Sequence, residues 1–436
     1  MKIIVIGGSH GGREAVDGLL ETKTNDLKID WFDAASFGPI MGWSEDQLIN
    51  HKAELAAKDV TIFDQTRIIS LDPQKHEVTA QDSTGQQWVD RYDKMVLSLG
   101  SQPIVVPVDG HDLANIVTVQ GRANLMQLRH LATQETLKKV VVIGAGYIGL
   151  NVAEIFSRTG KDVTVIDASD RPFSNNLDTE FTDVLTDAIN VSGIHLQMNE
   201  RLSGFAGVEG NVQTVLTDKG EYTADLVVEV IGNRPNTELV KDVLEIDAQG
   251  LITVDAYQQT SNPDIFAVGD ATTVLYTPTN KRQRVPLASA TAHTARQVAA
   301  NLVGEANSIQ GVQGTSALRC AGYDFATTGL NTVMAAKMNM TVSSVYVTQN
   351  KLMDDVPAER NHQIWFKLFY DQASGRVLGA QIMAQTDVTE VINTISLGIQ
   401  LGVTVRQLAD ADFFFQPELS RPQSIVNVAA QRALRD

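Results

Sequence analysis

The sequence predicts an α/β protein: two Rossmann-like, doubly wound nucleotide-binding domains followed by a C-terminal α+β domain. Three observations predict it. Lys2-Ile3-Ile4-Val5-Ile6 and Val140-Val141-Val142-Ile143 are continuous apolar runs, the pattern of strands buried on both faces of a parallel sheet. Each run leads into a glycine-rich turn and then a helical stretch, so one unit occurs twice. Beyond about Gly304 the pattern becomes an alternation, as in Thr341-Val342-Ser343-Ser344-Val345-Tyr346-Val347 and Ile364-Trp365-Phe366-Lys367-Leu368-Phe369, which reads as half-buried antiparallel strands. Helical periodicity returns over Val388 to Leu401.

Composition limits the function. A chain of 436 residues, 43% of them hydrophobic, has the material for about two to four folded domains. Its 52 acidic and 35 basic side chains give a net charge of -17, which repels nucleic acid and anionic membranes, and no Lys/Arg block offsets it. No apolar run approaches the roughly 20 residues that span a bilayer, and the sequence enters a strand pattern without a signal-peptide layout, so a cytoplasmic location is expected. One cysteine excludes an intrachain disulfide and a thiolate metal cluster. The eight histidines show no HxxxH or HExxH spacing, so no metal site is expected.

Each turn carries chemistry. Gly7-Gly8-Ser9-His10-Gly11-Gly12 lies between strand and helix, where backbone N–H groups and the helix dipole receive a pyrophosphate. Ser9 stands where the fingerprint has its second glycine, and Asp33 follows Gly12 at the spacing of a carboxylate that binds a ribose hydroxyl pair. Alone, this turn also reads as a tight connection. Gly144-Ala145-Gly146-Tyr147-Ile148-Gly149 is the complete version, with Asp167 closing the next strand, Val163-Thr164-Val165-Ile166. An aspartate there accepts from the adenosine 2'-hydroxyl and repels a 2'-phosphate, which favours NADH over NADPH. No arginine follows Asp167 directly, although Arg171 is near. Two fingerprints imply two dinucleotides, and hydride transfer between a nicotinamide and a flavin is the reaction such a pair supports.

Over essentially its whole length the chain resembles the pyridine-nucleotide flavoproteins of the NADH peroxidase, NADH oxidase and coenzyme A disulfide reductase group, NADH peroxidase most of all. The resemblance runs through Ser9-His10-Gly11-Gly12, Gly146-Tyr147-Ile148-Gly149, Arg234-Pro235-Asn236-Thr237, Phe266-Ala267-Val268-Gly269-Asp270-Ala271 and Asp412-Phe413-Phe414-Phe415-Gln416-Pro417. It implies FAD and NADH as cofactors. It implies an FAD domain made of residues 1–110 and 237–302, an NAD domain at 111–236 and a dimerisation domain at 303–436. Asp270, between Gly269 and Ala271, takes the role of binding the ribityl-phosphate region; as a bare feature it is a turn aspartate. Tyr147 resembles the aromatic gate over the flavin, or else is a core tyrosine. Phe414 and Phe415 resemble the segment that reaches the partner subunit's flavin, implying a homodimer; otherwise the three aromatics are buried core.

The departures from the family concern the thiol. The family's redox cysteine falls within Ser36-Phe37-Gly38-Pro39-Ile40-Met41-Gly42-Trp43, where Ile40 or Met41 replaces it, and neither forms a thiolate or a sulfenic acid. The arginine expected near the peroxide site aligns with Ala292, next to His293. The glutamate expected after the nicotinamide turn aligns with Asn151, while Glu154 remains one helical turn on. His10 is kept. At a helix N-terminus it is expected to be buried, which disfavours the imidazolium, and both an acid/base and a structural role stay open. Cys320 is expected to be an inert core residue.

The expected reaction is hydride transfer from NADH to FAD followed by direct, thiol-independent oxidation by a small acceptor, with oxygen giving hydrogen peroxide as the leading case. A quinone or other organic acceptor is the alternative, for which an open cavity at Met41, Trp43 and Ala292 would speak. Residual NADH peroxidase activity, and a slowly turning over NADH- and FAD-binding regulatory protein, are further alternatives.

Overall fold

A computed structural model describes every residue except 23, 25, 305, 306 and 436, the last three of which fall within the expected C-terminal domain. The first sheet is parallel, with five strands in the order Ile265–Ala267, Lys94–Leu97, Lys2–Ile6, Lys28–Phe32, Val60–Phe63. Ile3 and Val5 face the helices His10–Glu21 and Ala288–Leu302, and Ile4 and Ile6 face the opposite core, which explains the unbroken apolar run. The two helices approach closely at Gly18, where an added Cβ would stand 2.8 Å from the Ala299 Cβ.

The second sheet repeats the plan in the order Ile194–Met198, Asp162–Asp167, Lys139–Ile143, Leu226–Glu229, Ile116–Thr118, all parallel. Each parallel sheet is joined on its other face by a three-stranded antiparallel layer, Arg67–Asp72, Glu77–Gln81 and Gln87–Arg91 in the first unit and Leu202–Val208, Asn211–Thr217 and Glu221–Thr223 in the second. An antiparallel ribbon of Ser101–Pro103 and Asn233–Pro235 carries the chain from the first unit to the second and back. The return is completed when Ile265–Ala267 pairs with Lys94–Leu97.

The C-terminal sheet is antiparallel, in the order Ser316–Cys320, Tyr323–Gly329, Val377–Ala384, Gln363–Tyr370, Ser343–Asn350. The expected half-buried alternation holds in Ser343–Asn350, where Val345 and Val347 are buried between more exposed neighbours. Gln363–Tyr370 departs from it, being buried over most of its length, and every residue of Val377–Ala384 is buried. The helices Val391–Leu401 and Ile425–Ala433 cover one face, while Cys320, Phe325 and Met383 on the other pack into the core of the second unit with Phe156, Phe173 and Phe181. The helix expected from Val388 begins at Val391, because the Asp387 carboxylate accepts the Thr389 N–H in a turn that precedes it. Among the described residues no helix is long and apolar enough to cross a membrane.

Candidate functional site

The two turns have the same construction. Gly7 and Gly144 sit at φ of +112° and +114°, where a Cβ would stand 2.1 Å from the Ser98 carbonyl oxygen and 2.6 Å from that of Val230. Only glycine fits there. At Gly12 and Gly149 a Cβ would meet the Gly7 and Gly144 carbonyls at 1.7 and 1.9 Å, so these glycines let each helix press onto its strand. Ser9 and Gly146 are the residues before the helices, with nearly identical backbone angles of -87°, -160° and -87°, -168°. Neither helix start has a side-chain cap among the described residues, and the first N–H groups to bond backwards are those of Arg13 to Ser9 and Leu150 to Gly146. The N–H groups of His10, Gly11 and Gly12, and of Tyr147, Ile148 and Gly149, therefore crown two uncapped helix starts, the arrangement that receives a pyrophosphate.

The closing carboxylates also match. Asp33 accepts from the Gly8 N–H at 2.5 Å and the Ala35 N–H at 2.7 Å, and Asp167 accepts from the Ala145 N–H at 2.6 Å and the Ser169 N–H at 2.7 Å. Burial holds the Asp33 carboxyl above its usual range against the opposing pull of those N–H groups. Around Gly146 a Cβ would have no heavy atom within 4 Å, so the space in front of the second turn is open to a ligand. By donor set and by shape both turns fit a dinucleotide.

The turn at Gly269, with φ of +80°, reaches the first fingerprint through Thr291, whose methyl would lie 3.2 Å from a Cβ at Gly269 and 3.0 Å from one at Gly11. Asp270 accepts from the Ser101 hydroxyl at 2.8 Å and lies 4.0 Å from the Arg284 guanidinium, while Ala271 is buried beneath. Arg284 was missed in the sequence. Its Nε donates to the Asp270 carbonyl at 3.0 Å and its Nη1 to the Asn233 carbonyl at 2.9 Å, tying this turn to the ribbon between the units. The polar run Lys281-Arg282-Gln283-Arg284 gives no periodicity that marks it.

His10 is exposed, against the expectation of burial. The face of its helix turned inward is carried by Gly11, Gly12, Ala15, Val16, Gly18 and Leu19, and His10 lies off that face at the open end. Tyr147, at the corresponding place on the second helix, is half-buried: its ring packs against Phe173 and Phe325, and burial pushes its hydroxyl pKa up. Ile148 is exposed.

Ile40 and Met41 end the short helix Phe37–Met41, which Gly42 closes at φ of +73°. Met41 and Trp43 pack against the first unit's core rather than standing open, and the Trp43 indole stacks on His51 at 4.2 Å. Asn151 and Ala292 are half-buried in their helices, and His293 is exposed with its ring nitrogen 2.6 Å from the Gln297 amide. Glu154 is engaged elsewhere, accepting from the Ala321 N–H at 2.5 Å and from Arg158 at 3.1 Å. Cys320 is 1% exposed, and burial, aided by the Glu154 charge, pushes its thiol up to about 12. Phe414 and Phe415 are 74% and 47% exposed, on the C-terminal domain; they are not core.

Comparison with known proteins agrees with this geometry. The family model described as pyridine nucleotide-disulphide oxidoreductase matches residues 1–297, and the one for the dimerisation domain of the same family matches residues 318–424. The chain is 34% identical over 452 residues to an NADH oxidase of Enterococcus faecalis, an alignment that covers 100% of both chains. It is 31% identical to an NADH oxidase of Streptococcus pyogenes, covering 98% of each. It superimposes with a TM-score of 0.92 on a water-forming NADH oxidase from Lactobacillus brevis bound to NADH, at 32% identity, covering 100% of this chain and 98% of that one.

Proposed function

The chain belongs to the pyridine nucleotide-disulphide oxidoreductase family, and we propose that within it the protein is an NADH oxidase that reduces oxygen directly, without a thiol. It is a flavin-dependent pyridine-nucleotide oxidoreductase. FAD held at the first turn would supply the redox chemistry that links NADH to oxygen, for an overall balance in which NADH, a proton and O2 give NAD⁺ and H2O2.

The residues divide between two cofactors. For FAD, the N–H groups of His10, Gly11 and Gly12 take the pyrophosphate, with Gly7 and Ser9 shaping the turn; Asp33 takes the adenosine ribose, and Gly269, Asp270 and Ala271 take the ribityl-phosphate side. For NADH, Gly144, Gly146, Tyr147, Ile148 and Gly149 form the pyrophosphate turn, and Asp167 selects the unphosphorylated ribose. His10, exposed at the mouth of the first turn, holds the proton that peroxide formation consumes. Phe414 and Phe415 reach the flavin of a partner subunit in a homodimer, and the exposure of both rings supports this. The division into residues 1–110 with 237–302, 111–236 and 303–436 follows the same reading, and the reaction belongs in the cytoplasm, where NADH is supplied.

One observation carries the thiol-free reading. The chain's single cysteine is buried in the core shared with the C-terminal domain, with a thiol that stays protonated well above neutral pH, while Ile40 and Met41 occupy the segment near the first unit. A protonated, enclosed thiol is neither a nucleophile nor a peroxide reductant. The Lactobacillus brevis relative is named as water-forming; here the reduction stops at peroxide. Oxygen and NADH consumption recorded together, with catalase added partway, tests it. The expected result is that catalase returns about half of the consumed oxygen, the stoichiometry of peroxide dismutation. Consumption with no return would show that water is the product.

A further inference from the structure

One side chain ties the two dinucleotide turns together through the ribbon between the units. The strand Leu226–Glu229 of the second sheet ends at Val230, whose N–H bonds to the Ile143 carbonyl at 2.9 Å and whose own carbonyl faces Gly144, where an added Cβ would stand 2.6 Å away. Three residues on, Asn233 enters the ribbon opposite Pro103, and its carbonyl accepts from Nη1 of Arg284 at 2.9 Å. The Nε of the same guanidinium donates to the Asp270 carbonyl at 3.0 Å, in the turn that reaches the first fingerprint through Thr291. The ribbon itself is held at both ends: the Ile104 N–H bonds to the Gly232 carbonyl at 3.0 Å and the Asn236 N–H to the Gly100 carbonyl at 3.1 Å.

Arg282, two residues earlier, grips the other end of the same turn and goes no further. Its Nε donates to the Thr273 hydroxyl at 3.2 Å, and its Nη2 to the Thr273 carbonyl at 2.8 Å and to the Gln258 side chain. Arg284 differs in two respects. It joins the turn to a segment that leads into the second sheet, and its Nη2 is buried, with no hydrogen-bond partner among the described residues and the Asp270 Oδ2 4.0 Å off. That oxygen is held by the Ser101 hydroxyl at 2.8 Å, and Ser101 begins the opposite strand of the ribbon. A buried charged donor without an acceptor is costly. A shift of roughly 1 Å in the Asp270 side chain, from 4.0 Å to the usual N–H···O length, joins it to the carboxylate.

We propose that Arg284 is a positioning residue that clamps the Asp270 turn to the inter-unit ribbon, so that FAD at the first turn and the pyridine nucleotide at the second strengthen each other's binding through its guanidinium. The inference rests on the functional reading above, which gives Asp270 to FAD and the Gly144 turn to NADH. The planar fork holds both carbonyls in one fixed geometry. A ligand that orders Asp270 therefore orders Arg284, and with it Asn233 and the strand end that sets Val230 against Gly144. A nucleotide at Gly144 acts along the same bonds in reverse. The contacts form one contiguous chain between the sites, and whatever factor one ligand lends to the other's affinity is returned in equal measure.

The test is the equilibrium FAD content of the full-length holoprotein across a dilution series, read from the fluorescence of the freed flavin, with and without saturating NAD⁺, in the wild type, Arg284→Lys and Arg282→Lys. In the wild type NAD⁺ is expected to lower the FAD Kd about fivefold or more, the lower end of ordinary coupling between sites. Arg284→Lys keeps the charge but replaces the fork by a compact ammonium, and is expected to shrink that factor to less than about twofold. Arg282→Lys disturbs the same turn without touching the ribbon, and is expected to keep the wild-type factor even where its FAD Kd rises. Thermal unfolding reports the folding of each variant, and Arg284→Gln serves if Arg284→Lys folds poorly. No coupling in the wild type, an unchanged factor in Arg284→Lys, or an equal loss in Arg282→Lys overturns the clamp. A wild-type protein that retains no FAD, or that shows no NAD⁺ binding by calorimetry, overturns the functional reading instead.

Discussion

The units at Gly7 and at Gly144 agree bond for bond before they differ. The Gly7 N–H bonds to the Phe32 carbonyl and the Gly144 N–H to the Ile166 carbonyl, both at 2.8 Å; Ser98 bonds to Ile6 at 2.8 Å, and Val230 to Ile143 at 2.9 Å. The backbone is thus fixed by glycine sterics and sheet register, and the side chains around it are free to diverge. Within the turns Gly8 stands against Ala145, Ser9 against Gly146, exposed His10 against half-buried Tyr147 and Gly11 against Ile148. On the neighbouring strand Leu97 stands against Glu229, since Ile6 pairs with Leu97 and Ile143 with Glu229. Ser9, His10 and Ile148 are exposed at the turns, whereas Leu97 and Glu229 are both buried.

The comparison predicts separable failures. Gly7→Val and Gly144→Val each force a branched residue into the left-handed region against a carbonyl, costing roughly 3 kcal/mol or more locally. Gly7→Val is expected to yield a protein that loses FAD. Gly144→Val is expected to stay yellow while NADH no longer bleaches it; absorbance spectra with and without NADH distinguish the two, and loss of FAD from both would break the assignment of turns to cofactors.

Asp167→Ala removes a charged acceptor from the second unit only. The NADH to NADPH preference, measured as the ratio of kcat/KM values, is expected to fall about 10- to 100-fold, as loss of a charge-assisted hydrogen bond implies. Asp33→Ala is expected to leave that ratio unchanged and to weaken FAD retention.

Glu229 is 1% exposed, its Oε1 has no hydrogen-bond partner among the described residues, and burial raises its pKa against the pull of the Val106 N–H and the His111 charge. Because the folded value lies above the unfolded one, its stabilising contribution is fully present below the unfolded pKa and is lost as pH rises through the folded pKa. Glu229→Gln is therefore expected to stabilise the protein by about 1 kcal/mol at neutral pH, with the gain vanishing in acid. Thermal unfolding across pH checks this, and an equal gain at every pH would contradict it. The smallest effect belongs to Ser9→Gly. The backbone there already matches Gly146, so a change of only a few tenths of a kcal/mol in stability is expected by denaturant titration.

What was legible in the sequence is what local sterics dictate. The glycines of both turns, Asp33 and Asp167 at the strand ends, and the apolar runs of the central strands follow from contacts within about one strand–turn–helix unit, and periodicity reports those. The rest depends on groups far apart in the chain. Tyr147 meets Ser316 and Thr327, Asp270 meets Ser101, and Glu154 meets the Ala321 N–H. The alternation in the C-terminal strands reported one buried face correctly, but the second face is covered by Phe156, Phe173 and Phe181 from another unit, which no pattern within the strands encodes. The exposure of His10 was missed for a related reason: a place at a helix N-terminus fixes the backbone, whereas the helix face decides burial.

The central claim is that the electrons pass through the flavin without a thiol to hold a second pair. Anaerobic reductive titration of the oxidised protein with dithionite, followed by flavin absorbance, tests it most directly. Complete bleaching after one electron pair per FAD is the predicted result, with Cys320 buried and its thiol near 12. Uptake of a second pair, with a long-wavelength charge-transfer band at the midpoint, would reveal a working redox thiol and contradict the account.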